Sequence, residues 1–263
     1  MKLLITGHKG FIGSNALKHF SQKYNFTVDG YEWGDEKPKF KKYDWVIHMG
    51  AITSTTETDV RLVMKQNYFF TTDLLEECNR HGVNVQFSSS ASVYGRGLNF
   101  SENAPLDPLT PYAWSKAMVE LYIASRQWGI ILQTFRYFNV YGPGEDHKGS
   151  QASPHHNFTK QAINRGEIVV FDVESKRDFV HVSSVVGVQD KFLNVPISGT
   201  WNLGTGYPIS FKEIAQSRAK EHDANIKYIP LPEVLKNSYQ YYTCADTEKL
   251  TNTLDKYTNS IYS

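Results

Sequence analysis

Apolar residues in the first half of the chain come in short runs that alternate with stretches of helical spacing. Lys2–Thr6, with Leu3-Leu4-Ile5 at its centre, ends on a glycine and reads as a buried strand. Phe11–Phe20 follows with helical periodicity. Phe26–Asp29 is a second strand, and Asp44–His48 a third that ends at Met49-Gly50-Ala51. Val60, Val63, Met64, Leu74, Leu75 and Cys78 fit helical spacing and predict two linked helices. Asn84–Ser88 is a strand running into serines, Tyr112–Trp128 a helix entered after Thr110-Pro111, and Ile130–Phe138 a strand. Strand–helix alternation of this kind predicts an α/β fold, a doubly wound parallel (Rossmann) sheet.

After Tyr141-Gly142-Pro143-Gly144 the pattern changes to shorter elements and loops rich in Gly, Ser, Pro and Asn. Ser153-Pro154 has the form of a helix N-cap followed by proline at the first helical position. Val185–Leu193 and Phe211–Glu221 read as helices. We therefore expect a dinucleotide-binding domain over residues 1–142, with a later contribution from about 179–205. A smaller C-terminal substrate lobe, interleaved with it, is expected over 143–263. Two segments are short. Gly30 to Tyr43 has no room for a helix, a strand and a link, so one strand–helix unit is missing; the residues after Thr247–Leu250 leave little for a closing helix.

Composition narrows the class. With 263 residues and 40% hydrophobic content the chain can bury a large core. A net charge of +1 gives no global attraction to nucleic acid or acidic membranes. Two cysteines, Cys78 and Cys244, fit a reducing compartment rather than a disulfide scaffold. No apolar run approaches the ~20 residues of a membrane span, and the N-terminal run is too short for a signal peptide. The expectation is a soluble cytoplasmic protein with no nucleic-acid or membrane partner.

Two motifs carry chemistry. Gly7-His-Lys-Gly10-Phe11-Ile12-Gly13 lies between a strand and a helix, where backbone amides can approach a pyrophosphate at a positive helix end. Asp29, about 20 residues on, can accept from the adenosine ribose hydroxyls. A carboxylate there repels a 2′-phosphate and favours NAD, whereas Lys37, Lys39, Lys41 and Lys42 in the next loop could pair with one; a solvated lysine face is the plainer reading. Tyr112 and Lys116 share a helix face four residues apart, where a cation can depress the phenol towards working pH and make it a general base. Ser90, at the end of the preceding strand, can hold a substrate oxygen opposite that tyrosine. His147, His155 and His156 invite a metal reading. Adjacent histidines diverge on a helix and no cysteine joins them, so no metal is expected.

With these residues the chain resembles the extended short-chain dehydrogenase/reductase family, in its nucleotide-sugar epimerase branch. His48-Met-Gly-Ala51, Asn67 and Asn202-Leu-Gly-Thr-Gly206 match further landmarks. Phe135-Arg-Tyr-Phe-Asn139 through His147-Lys148-Gly149-Ser150, with Ser54-Thr-Thr-Glu57, Lys176-Arg177-Asp178-Phe179-Val180 and Ser238-Tyr239-Gln240, resembles the ADP-L-glycero-D-manno-heptose 6-epimerase group. The resemblance implies Ser90, Tyr112 and Lys116 as catalytic residues and Lys148 as a second catalytic base. It implies Asn67, with Tyr112 and Lys116, as cofactor contacts, and NADP as the cofactor. Ser90, Asn139, His147, Ser150, Arg177 and Tyr239 become substrate contacts. The implied partners are a nucleotide-diphosphate sugar and further copies of the chain.

The implied reaction explains the two bases. Epimerisation of an unactivated alcohol carbon removes hydride, lets the carbonyl turn, and returns hydride to the other face. The oxygen then lies on different sides in the two epimers, so proton-transfer groups are needed in two places. Alternatives remain at several positions. Arg177 suits bidentate phosphate contact or a structural pair with Asp178. Asn139 can bind substrate or cap a turn, and Tyr239 can touch substrate or pack in the core. Rival functions are a UDP-hexose 4-epimerase using Tyr112 alone, a simple reductase, and a non-catalytic redox sensor. A 4,6-dehydratase fits poorly, because Ala91-Ser92 follows Ser90 where those enzymes carry an acid pair.

Overall fold

The strand–helix alternation folds as a single parallel sheet flanked by helices. The computed structural model describes residues 1–54, 57–236 and 239–258, without the side chains of Ser150, Val234 and Thr258. In chain order the first half contains β1 (Lys2–Thr6), α1 (Phe11–Ser21), β2 (Thr27–Tyr31) and β3 (Trp45–His48). Next come α2 (Val60–Val63), a π turn (Met64–Phe69), α3 (Phe70–His81), β4 (Asn84–Ser90), α4 (Pro111–Ala124) and β5 (Leu132–Tyr137). The second half adds β6 (Asn139–Tyr141), α5 (Pro154–Arg165), β7 (Glu167–Phe171), β8 (Lys176–His181), α6 (Val182–Phe192) and β9 (Gly199–Leu203). It closes with β10 (Pro208–Ser210), α7 (Phe211–His222), β11 (Asn225–Ile229), α8 (Glu233–Lys236) and α9 (Glu248–Thr258).

The six-stranded sheet has the order β2-β1-β3-β4-β5-β9. Its register pairs Leu4 with Asp29, Ile5 with Ile47, Phe87 with Thr134 and Phe135 with Trp201, all in parallel. Alternation along each strand loads both faces. Leu4 and Val46 pack with Leu75, Val85 and Val119 on one side, while Leu3, Ile5, Trp45 and Ile47 pack with Ala16 and Val186 on the other. The order reverses between β1 and β3, and in such sheets ligands bind beyond the strand ends at that crevice.

The missing strand–helix unit is borne out. Between β2 and β3 the chain makes only a 3₁₀ turn at Phe40–Lys42, so β2 is left at the sheet edge. The closing helix is a correction. The residues judged too few for one form α9, because Leu250 enters the core beside Phe135 and Trp201, and Thr253 Oγ1 accepts from Trp201 Nε1 at 3.0 Å. The linked helices over residues 60–81 run on through the π turn without a break. Helix α4 starts as expected, with Thr110 Oγ1 accepting from Ala113 N at 3.2 Å and Pro111 in the first turn. It stops at Ala124 rather than at Trp128, whose indole instead donates to the Ile123 carbonyl.

Smaller sheets, β10-β8-β6 and β11-β7, lie with α5 and α7 after the main sheet. Asp178 ties this part together. Its buried carboxylate accepts from Thr205 N and Thr205 Oγ1, from Gly206 N and from Ala245 N, at 2.6–2.9 Å. Cys78 and Cys244 are both free thiols. Among the described residues no helix is long and apolar enough to cross a membrane.

Candidate active site

A cleft of about 560 Å³ opens at the β1/β3 crevice and runs from the glycine turn to α4 and to the turn at Asp146–Gln151. The glycine turn is built for close approach. Gly7 has φ +70°, and a Cβ there would lie 2.6 Å from the Gly50 backbone. A Cβ on Gly13 would lie 2.0 Å from the Gly7 carbonyl, so only glycine lets α1 pack against the turn. Gly10 caps α1 without a side-chain hydrogen bond, leaving the amides of the first turn to an anion. Gly7, Gly10, Phe11, Ile12 and Gly13 all line the cleft.

The wall opposite the glycines comes from β4 and α4. Ser90, Tyr112 and Lys116 line it, with a Ser90 hydrogen bond on the Tyr112 phenol. Lys116 is buried, donates to the Ser88 carbonyl at 2.7 Å, and sits 5.9 Å from the Tyr112 ring centre. Burial pushes its pKa down to about 7, against the opposing pull of Glu120 one turn along. The expected depression of the phenol is reversed here. Burial raises the Tyr112 pKa, the Ser90 hydrogen bond lowers it less, and the ammonium is directed at a carbonyl instead. Behind this wall Glu120 forms a buried ion pair with Arg136 at 2.6 Å and also accepts from Ser89. Arg136 in turn donates to Tyr94, which donates to Asn202 Oδ1. Thus α4 is fixed to β4, β5 and β9 by a network rather than by packing alone.

Lys148 reaches the cleft from a different element, the turn at Asp146–Gln151. Its ammonium lies 4.9 Å from the Phe11 ring centre and 3.7 Å from Glu145 Oε2. Burial lowers its pKa and the Glu145 charge partly offsets this. Glu145 is 1% exposed and ties together the two ends of the turn. Oε1 accepts from Gly142 N at 3.0 Å and from Ser153 Oγ at 2.7 Å, and Oε2 accepts from Ser153 N at 2.6 Å. Sequence reasoning passed over this residue, although it stands three positions before Lys148.

Other expected contacts fall in different places. Asn139 and His147 line the cleft; the Ser150 side chain lies outside the described residues, as do Thr55, Thr56 and Ser238 of the matching motifs. Asn67 does not line it. Its amide accepts from Ile52 N and donates to Ile52 O and Ser115 Oγ at 2.8–3.0 Å, so it fixes the chain after β3 rather than facing the cleft. Asp29 is also outside the lining, because it stands mid-strand rather than at the strand end. Its carboxylate accepts from Lys42 Nζ at 2.9 Å and Tyr43 OH at 2.7 Å. The acid that lines the cleft is Glu32, just after β2. Lys37, Lys39 and Lys41 line a separate pocket beside Glu77.

Arg177 and Tyr239 are also outside the cleft lining, and sit together. Arg177 is 6% exposed, and its guanidinium lies 5.4 Å from the Tyr239 ring centre and 5.6 Å from that of Phe211. Burial lowers its pKa to about 10. The structural pair with Asp178 is not made, because neighbouring strand residues face opposite ways. Phe179, two residues on and so on the same face as Arg177, lines the cleft. The three histidines part company: His147 is exposed on the cleft, His155 stacks on Tyr141 at 4.1 Å, and His156 faces Asp146 at 3.6 Å.

Comparison with known proteins places this geometry. Residues 28–204 match the model of the NAD dependent epimerase/dehydratase family. Among solved structures, ADP-L-glycero-D-manno-heptose-6-epimerase from Helicobacter pylori is similar at 27% identity and TM-score 0.86, over 97% of this chain and 90% of that one. UDP-glucose 4-epimerase from Thermus thermophilus, in complex with NAD, is similar at 25% identity and TM-score 0.82, over 96% and 92%. An NAD-dependent NDP-hexosamine 5,6-dehydratase of tunicamycin biosynthesis is similar at 25% and 0.82, over 97% and 91%. Coverage near nine-tenths of each relative agrees with a slightly shortened form of the fold.

Proposed function

This chain belongs to the NAD dependent epimerase/dehydratase family, so it is an enzyme, and we propose that it epimerises the 6-carbon of an ADP- or GDP-linked glycero-manno-heptose. The observation that carries this reading is the pairing of two proton-transfer groups on one cleft, Tyr112 from α4 and Lys148 from the turn at Asp146–Gln151. A 4-epimerase needs only the tyrosine.

The residues present fit a nicotinamide dinucleotide. The glycine turn admits a pyrophosphate at the uncapped α1 N-terminus, and Glu32 at the β2 end can accept from the ribose hydroxyls. The chemistry a bound nicotinamide supplies is reversible uptake of hydride from the sugar carbon. The chain's own part is to hold the sugar and move protons. Ser90 holds the reacting oxygen. Tyr112, whose raised pKa keeps its proton, donates to that oxygen in one position. Lys148, whose ammonium is made less stable by burial, exchanges a proton with it in the other. Arg177, buried and without an ion pair among the described residues, suits the diphosphate.

NAD is the better cofactor on charge. Glu32 repels a 2′-phosphate, while Lys42 is taken up by Asp29 and Lys37 by Glu77. Purified protein is to be incubated with ADP-heptose, GDP-heptose and UDP-glucose, without added reductant, and epimer formation followed by NMR. Turnover of a heptose is expected; turnover of UDP-glucose alone sinks the proposal. Mass analysis of extracted dinucleotide distinguishes NAD from NADP.

A further inference from the structure

The corner of the cleft beside β2 is where this chain lacks a strand–helix unit, and a different set of residues closes it. Glu32 and Trp33 follow β2 directly and both line the cleft. Glu32 Oε1 accepts from Lys9 N at 2.7 Å and lies 3.3 Å from His8 Nδ1, which anchors the start of the link to the glycine turn. Trp33 is 42% exposed and lines the cleft, so a flat partner there can cover its ring. The Lys65 ammonium stands 5.7 Å from its ring centre. Lys65 belongs to the π turn, whose neighbour Gln66 also lines the cleft. An insertion of this type re-aims side chains and recurs at functional sites. The link and the π turn thus converge on one exposed indole.

We propose that Trp33, braced by Lys65, is the platform for the adenine of the dinucleotide and replaces the wall that the missing strand–helix unit would supply. The inference rests on the dinucleotide reading above. The indole offers a flat face of the right kind for a purine, and stacking of this type needs no hydrogen-bond pattern. Its position one residue after Glu32 places an adenine subsite next to the ribose-binding acid, in the order in which adenosine presents the two groups. The Lys65 ammonium, 5.7 Å from the ring centre, favours the observed position of the indole through a cation–π contact.

The test is calorimetric titration of the full chain, freed of co-purified dinucleotide, with NAD⁺ and with nicotinamide mononucleotide, which lacks the adenosine half. Trp33→Ala is expected to weaken NAD⁺ binding about tenfold to a hundredfold and to leave the mononucleotide unchanged. Trp33→Phe, which keeps a flat ring, is expected to retain most of the affinity. Unchanged NAD⁺ affinity in Trp33→Ala overturns the platform alone, as does an equal loss in Trp33→Phe. Failure of the unaltered chain to bind NAD⁺ at all overturns the dinucleotide reading and the platform with it.

Discussion

The two walls of the cleft that carry Tyr112 and Lys148, the proposed proton-transfer groups, are built in opposite ways. Tyr112 stands on α4, a fourteen-residue helix capped by Thr110 and bound to the central sheet by buried Lys116 and the Glu120–Arg136 pair. Lys148 stands on a short 3₁₀ turn interrupted at Gly149, tied down by the buried carboxylate of Glu145 and by the Asp146–Lys160 ion pair. The first wall draws its position from regular structure. The second draws it from side-chain contacts of the turn itself, those of Glu145 with Gly142 and Ser153 and those of Asp146 with Lys160 and His156. The difference suits the proposal, in which a 4-epimerase needs only the first group.

Substitutions can break this contrast. The largest effect is expected from Tyr112→Phe, which removes the proton while keeping the ring; kcat should fall about 10³-fold with the fold intact by circular dichroism. Lys148→Ala should lower heptose epimerisation about 10²-fold. An unchanged rate would remove the two-base mechanism and leave the tyrosine wall as the whole site. Glu145→Ala sharpens the comparison, since it strips buried amides of their acceptor. A loss of about 3 kcal/mol in urea unfolding is expected, with a drop in kcat of about tenfold, and an unaltered stability would show that the turn is held by something else.

The last effect concerns pH rather than activity. Lys116 has a folded pKa of about 7 against an ordinary 10.5, so between these values the unfolded chain binds more protons than the folded one. Stability from this group is therefore greatest above about 10.5, falls as pH is lowered across the window, and is flat below about 7. In Lys116→Met the melting temperature should vary less with pH between 7 and 10 than in the unaltered chain. Parallel curves for the two proteins would argue that Lys116 stays charged in the fold.

The amino-acid sequence by itself determined the strand–helix alternation, the glycine turn, the Tyr112–Lys116 spacing and the shortened link, because each depends on neighbours a few residues apart. Tertiary structure decided what depends on long-range placement. Asp29 and Glu32 are three residues apart, yet only the strand register shows which one reaches the cleft. Asn67 reads as a cofactor landmark, but its partners Ile52 and Ser115 come from distant chain segments and take up its amide. The phenol of Tyr112 reads as activated by a neighbouring cation; burial, which no local spacing reveals, pushes it the other way. Trp33 reads as an ordinary aromatic until the sheet edge and the π turn bring Lys65 onto it. Local pattern named the chemistry, and desolvation and strand register, which only the assembled fold creates, chose the residues that face it.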